Sequence, residues 1–127
     1  MFNTSAYYRY GIQKFELVSI SPTVGSNLLY RGDITFTLTF NQNLNNDVGG
    51  SGFACGLEYV STGETNNVFV FPESIIGNTF SVSFSGPTGG LHPLGPAIFK
   101  LPANTLYGNI NNNFFANLNY NYTIVSP

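Results

Sequence analysis

The strict alternation of apolar and polar residues from Ile34 to Phe40 constrains the fold more than any other feature of the sequence. Four large apolar side chains occupy every second position, and threonines occupy the positions between them. A period of two is typical of a β-strand with one buried face. Burying each of the four side chains contributes about 1.5–3 kcal/mol, and a shift of one residue would expose all of them. The segment therefore predicts a strand that anchors a β-sheet core.

Shorter stretches of the same kind predict further strands, and no long window fits a helix. The predicted strands lie at residues 14–21, 53–60, 68–71, 79–85, 97–101 and 115–125. In residues 14–21, strict alternation places Leu17 and Ser19 on one face and Ile20 on the other. Segments rich in Gly, Pro and Asn separate the strands, at residues 41–52, 86–96 and 104–113. Seven to eight short strands with frequent turns predict one all-β domain, an antiparallel β-sandwich over residues 14–127 that follows an N-terminal extension at residues 1–13.

Charge is scarce, which limits the classes of partner. Only 8% of the 127 residues are charged, against about 25% in ordinary globular proteins. Four Lys and Arg residues are too few to neutralise a run of phosphates, so nucleic acid is excluded as a partner. The polar surface must be built from Ser, Thr and the 17 Asn residues. Such a surface repels copies of itself weakly, which favours self-association, docking on a larger protein scaffold, or glycan attachment.

Neither a catalytic centre nor a cofactor site is expected. His92 is the single histidine, and no nucleophile motif accompanies it, so we expect an exposed loop residue and not part of a triad. The single Cys55 lies in an apolar run and predicts a buried thiol. Asn43, Asn45, Asn46 and Asp47 supply oxygen atoms, but one carboxylate is too few for tight Ca²⁺ binding, and a solvated loop is the preferred interpretation.

Turn residues flank the anchoring strand and precede the last strand. Ser21-Pro22-Thr23 ends the first strand, Tyr30-Arg31-Gly32-Asp33 leads into the anchoring strand, and Asn41 follows it. Leu101-Pro102-Ala103 and Gly108-Asn109 stand before the last strand. In these motifs the chain resembles the immunoglobulin-like modules of microbial surface proteins, and the resemblance covers roughly residues 14–125. It implies an immunoglobulin-like sandwich without shared active-site residues, used as a spacer, an adhesin or a virion appendage.

Arg31-Gly32-Asp33 is also the tripeptide that integrin-type receptors recognise on flexible loops. The preferred interpretation is a turn in which Gly32 supplies an unusual backbone angle and the Asp33 side chain bonds nearby amides. The strong strand that begins at Ile34 leaves this tripeptide little freedom. Receptor recognition is the second interpretation.

Several tyrosines and asparagines are candidate contact or modification sites. The uncharged N-terminal extension can act as an assembly arm that adds a strand to a neighbouring subunit, or fold back on its own sheet. Tyr7 and Tyr8 of this extension, with Tyr107 in the segment 104–113, are also candidate stacking platforms for glycans. Two sequons are candidate glycosylation sites. The candidate contact residues are Tyr7, Tyr8, Tyr10 and Tyr107, and the candidate glycosylation sites are Asn3 and Asn121.

The sequence as a whole favours a non-enzymatic structural or adhesive module that works by contact. No apolar stretch approaches the roughly 20 residues needed to insert in a membrane. Residues 1–9 lack the apolar segment of a signal peptide, which favours a processed fragment, another export route, or assembly inside a host cell. We therefore expect an extracellular location, on a cell surface or on a virion surface. The alternatives are a capsid-decoration or appendage protein of a bacterial virus, and a carbohydrate-binding module.

Overall fold

The computed structural model describes residues 15–44, 53–70, 74–102 and 117–126 of the chain. These residues form strands and turns, and no α-helix occurs among them. The strands are β1 (Leu17–Ser21), β2 (Asn27–Leu29), β3 (Ile34–Phe40), β4 (Phe53–Tyr59), β5 (Glu64–Val70), β6 (Ile75–Ile76), β7 (Thr79–Phe84), β8 (Gly95–Leu101) and β9 (Leu118–Val125). The predicted all-β class is confirmed. The described part of the chain holds nine strands when the very short β2 and β6 are included.

The strands form two sheets. Sheet 1 has the order β1-β3-β7-β6, and sheet 2 has the order β2-β9-β8-β4-β5. All described pairings are antiparallel except that of β2 with β9, which is parallel. Because consecutive strands alternate between the sheets several times, the chain crosses the core repeatedly and ties the two layers together.

The core lies between the sheets and is built from the alternating faces that the sequence predicts. In β3, the side chains of Ile34, Phe36, Leu38 and Phe40 are all buried, while the threonines between them face outward. The ring of Phe36 lies 4.6 Å from that of Phe99 in sheet 2, measured between centroids. Aromatic contacts of this kind stabilise beyond the area that they bury. The two sheets therefore pack face to face as a β-sandwich.

The first strand departs from simple alternation. Its pairing with β3 shifts register between Leu17 and Ser19, which is a β-bulge or a similar irregularity. An extra residue in one strand reverses the side-chain alternation beyond it. As a result Leu17 and Ile20 both pack against the core, whereas Val18 is 64% exposed. The prediction that Ile20 faces away from Leu17 is wrong for this reason.

The hairpin of β4 and β5 is longer than predicted. The two strands pair without interruption from Phe53↔Val70 to Tyr59↔Glu64, so β5 begins at Glu64 and not at Val68. Its first four residues are Glu-Thr-Asn-Asn, in which Glu and the two Asn residues have low strand propensity. They form a strand because β4 supplies a complete hydrogen-bonding partner.

Candidate interaction surfaces

The Arg31-Gly32-Asp33 tripeptide forms the connection between β2 and β3, and all three residues are exposed. Gly32 has a φ of 85°, in the region that favours glycine, as the turn interpretation predicts. The N–H of Gly32 donates to the carbonyl of Gly90 at 3.1 Å, and its own carbonyl lies 2.8 Å from His92 Nε2. The centre of the tripeptide is therefore held on both sides by the segment between β7 and β8.

The side chains of the tripeptide lie at the surface. The Arg31 guanidinium folds back over the Tyr30 ring, 5.7 Å from its centroid, and donates to the Tyr30 hydroxyl at 3.4 Å. No hydrogen bond joins the Asp33 side chain to another described residue, so the predicted Asp33–amide bonds do not form there. The arrangement agrees with a turn that is displayed but anchored, and receptor recognition stays a prediction.

His92 is buried, at 2% exposure, and the prediction of an exposed loop histidine is wrong. A carbonyl can only accept, so Nε2 carries the hydrogen that bonds Gly32. Nδ1 lies 2.7 Å from the Tyr59 hydroxyl, which in turn accepts from Asn66 at 3.4 Å. Every member of this chain of hydrogen bonds is satisfied when Tyr59 donates to Nδ1. We call Asn66, Tyr59, His92 and the Gly32 carbonyl the His92 network.

The His92 network joins distant parts of the chain. Asn66 also donates to the carbonyl of Ser85 at 2.9 Å, and the backbone N–H of His92 donates to the backbone carbonyl of Tyr30 at 2.7 Å. A buried imidazole is tolerated only where its polar atoms find partners, and in this network they do. The sequence does not predict this buried role of His92, because its hydrogen-bond partners are remote in sequence and no local motif indicates them.

Asn121 is the one sequon asparagine among the described residues. It lies in the middle of β9, exposed on the outer face of sheet 2, and it pairs with Ile98 of β8. A glycan on its amide would stand on that face. The other candidate sites (Asn3, Tyr7, Tyr8, Tyr10 and Tyr107) lie outside the described residues, as do Asn45, Asn46, Asp47 and the whole extension 1–13.

The outer face of sheet 1 is a ladder of hydroxyl groups. Thr35 pairs with Ser83, Thr37 with Ser81 and Thr39 with Thr79, and the paired side-chain oxygens are 2.7, 2.8 and 3.3 Å apart. Such cross-strand pairs stabilise a sheet modestly. The four strands of sheet 1 contain no charged residue. The strands of this face are therefore uncharged, with hydroxyl pairs at the centre and the exposed apolar side chains of Val18 and Ile76 on the two edge strands.

The outer face of sheet 2 is neutral for a different reason. Glu58 in β4 and Lys100 in β8 lie on adjacent strands and form an ion pair at 2.5 Å. Around the pair the face carries uncharged side chains, among them Asn119, Asn121 and Thr123. The remaining charge in this sheet, Glu64, lies at the start of β5 beside the turn. The opposite charges of Glu58 and Lys100 cancel on the face itself.

The thiol and the metal-binding side-chain types of the described residues can be placed in the fold. Cys55 is fully buried, as predicted, and burial raises the pKa of its thiol to about 12. A thiol in this state is a poor nucleophile at neutral pH. No group of three or more His, Cys, Asp and Glu side chains placed to bind a metal occurs in the described part of the chain. None of the described residues forms a helix long and apolar enough to span a bilayer.

Comparison of the chain with protein-family models, with curated proteins and with solved structures gave no significant match.

Proposed function

We propose that this chain is a non-enzymatic structural module of immunoglobulin-like type that assembles with copies of itself on a cell or virion surface. The strand orders support the immunoglobulin-like part of the proposal. One sheet of an immunoglobulin domain has the order A-B-E-D, and the other joins strands G, F and C, with C′ added in the variable type. The orders β1-β3-β7-β6 and β9-β8-β4-β5 correspond to these when β1 is strand A and β9 is strand G.

The centre of the sandwich also supports this correspondence. Antibody domains link strands B and F through a disulfide. In this chain the corresponding strands are β3 and β8, and Phe36 packs against Phe99 between them, with ring centroids 4.6 Å apart. An aromatic pair thus occupies the place of the covalent link, in keeping with a chain that has a single cysteine.

Self-association is supported above all by the electrical neutrality of both outer faces. Sheet 1 presents hydroxyl pairs and no charge, and sheet 2 presents one ion pair whose charges cancel. Two neutral faces approach without long-range repulsion. Burying hydroxyl and amide groups that can find new partners also costs far less than burying unpaired charges. The broad surfaces of the molecule are therefore suited to contact with another protein.

Sedimentation velocity over a wide range of protein concentration tests the proposal. We expect oligomers whose population rises with concentration and changes little with salt, since no net charge acts between the faces. A chain that stays monomeric at every concentration would contradict self-association. Strong weakening by salt would mean that attraction between charges, and not contact between neutral faces, drives the association.

A further inference from the structure

The described strands give the two sheets four edges, which differ in how well they are protected against pairing with another chain. Natural edges are protected by shortness, bulges, prolines or lysines. In sheet 1, β6 has two residues and β1 carries a register irregularity. In sheet 2, β2 has three residues. The fourth edge, β5, has seven residues in uninterrupted register with β4, and it contains neither Pro nor Lys.

The hydrogen-bonding pattern of sheet 2 shows which backbone groups of β5 point outward. Val60 directly follows β4, and its N–H donates to the carbonyl of Pro96 at 3.1 Å. In the same register, the backbone groups of the even-numbered residues of β4 bond β8. Backbone groups alternate in direction along an antiparallel strand. The odd-numbered residues of β4 therefore bond β5, at pairs such as Leu57↔Asn66. It follows that the N–H and C=O groups of Thr65 and Asn67 point away from β4, toward the edge.

The side chains of these two residues leave the edge accessible. Thr65 and Asn67 both pack beside Gly56 at the centre of β4. A methyl group at Gly56 would lie 3.1 Å from the Thr65 methyl carbon and 3.2 Å from the Asn67 side-chain oxygen. Both side chains thus lean over β4, in space that the glycine leaves open, and away from the outward backbone groups.

We propose that β5 pairs with β5 of a second copy of the chain, antiparallel and about a two-fold axis at Asn66. Thr65 of each copy then lies opposite Asn67 of the other, and the two exchange both backbone hydrogen bonds. Four N–H···O=C bonds result, and sheet 2 continues from one copy into the other. This inference rests on the proposed self-association and puts the contact at the β5 edge of sheet 2, so that the neutral outer faces of the two copies lie side by side and not against each other.

A second copy fits this edge for reasons of symmetry and charge. Antiparallel pairing of a strand with itself is the isologous contact that a two-fold axis generates. With the axis at Asn66, Glu64 lies opposite Val68 of the other copy, so the two carboxylates do not meet. The Asn66 side chains remain bonded within their own copies, to Tyr59 and Ser85. The pairing therefore breaks no hydrogen bond of the Asn66 side chain.

The test compares three variants with the unmodified chain. Asn67→Pro removes an outward N–H and leaves the pairs with β4 intact, because proline is tolerated on edge strands. Each dimer loses two hydrogen bonds, and we expect the dissociation constant to rise at least about tenfold. Asn67→Lys adds a charge at the edge, and Asn121→Lys is the matched control on the interior strand β9 of the same sheet. We expect Asn67→Lys to weaken the dimer and Asn121→Lys to leave it unchanged.

Sedimentation velocity gives the dissociation constants, and far-UV circular dichroism verifies that each variant is folded. Hydrogen exchange adds a direct readout, since the amides of Thr65 and Asn67 should gain protection as the concentration of the unmodified chain rises. A dimer that survives Asn67→Pro but is lost in Asn121→Lys would overturn the edge assignment and leave the proposed function standing. An unmodified chain that remains monomeric would overturn both.

Discussion

At the scale of single residues, the molecule is held together by polar groups that lie far apart in the sequence. Tyr59 and His92 are both almost fully buried, and each depends on the other for a hydrogen-bond partner. Similarly, the buried Tyr122 donates its hydroxyl to the carbonyl of Pro22 at 2.7 Å, across 100 positions of sequence. Removing one partner of a buried hydrogen bond costs about 1–3 kcal/mol, because the remaining group loses its solvation without compensation.

The His92 network gives a direct test of this dependence. We expect Tyr59→Phe to lower the free energy of unfolding by about 1–3 kcal/mol, because His92 Nδ1 and the Asn66 amide lose the hydroxyl between them. Urea denaturation measures the change. Tyr30→Phe is the matched control, since it deletes the same atom from a half-buried tyrosine whose hydroxyl contact is 3.4 Å long and exposed. Equal losses in the two variants would contradict the network.

Cys55 allows a chemical test of burial. The pKa of its thiol is raised to about 12 by burial, and the thiolate is the reactive form. We expect a thiol reagent at neutral pH to label the native chain far more slowly than the urea-unfolded chain. Rapid labelling of the native chain, at the rate of a free cysteine, would show that β4 is open to solvent at this position.

At the scale of elements, the sequence predicts strands well where local pattern and sheet position agree. The alternation in β3 is confirmed residue by residue, and that of the last predicted strand is confirmed over Leu118–Val125, since both strands lie inside a sheet with one face on the core. It fails in β1, where a register irregularity that depends on the partner strand reverses the faces. It also misses the start of β5, whose polar residues become a strand through pairing with β4.

The features of the candidate surfaces also divide into those that local sequence predicts and those that it does not. The Gly32 turn is predictable because a local backbone angle demands glycine. The burial of His92 and the edge position of β5 are not, because they depend on the order of strands in the sheets, which no short segment encodes. The proposed contact between two copies depends on such a non-local feature, because it requires β5 to lie at the edge of sheet 2.

The two faces of β3 provide a matched pair of substitutions. We expect Phe36→Ala to cost about 3–5 kcal/mol, since this fully buried ring contacts both sheets. Thr37→Ala removes one hydroxyl contact on the outer face and should cost below about 1 kcal/mol. Urea denaturation of both variants measures the difference. Similar costs at the two positions would mean that β3 does not separate core from surface.

At the scale of the whole molecule, the burial of titratable side chains makes stability depend on pH. Burial raises the pKa of Tyr122 to about 12, with the neighbouring Tyr120 as a smaller cause, and burial also raises the pKa of Tyr59. With Cys55, three buried side chains thus bind their protons more tightly in the folded state than in the unfolded chain. Stability must then fall with rising pH wherever the unfolded state has already lost these protons.

At Tyr122 the effect of a raised pKa on the pH dependence of stability can be measured for a single residue. Its raised pKa contributes stability that is fully present below its ordinary value of 10.0 and is lost as the pH rises toward about 12. At neutral pH, Tyr122→Phe should cost about 1 kcal/mol through the lost bond to Pro22. That cost should shrink between pH 10 and 12, because only the unmodified chain must keep a phenol protonated there. Ile124→Val, a loss of one buried methylene in the same strand, should keep a constant cost of about 0.5–1.5 kcal/mol across this range. Urea denaturation at a series of pH values measures both costs. If the cost of Tyr122→Phe stays constant above pH 10, the folded state does not hold this proton more tightly than the unfolded chain does.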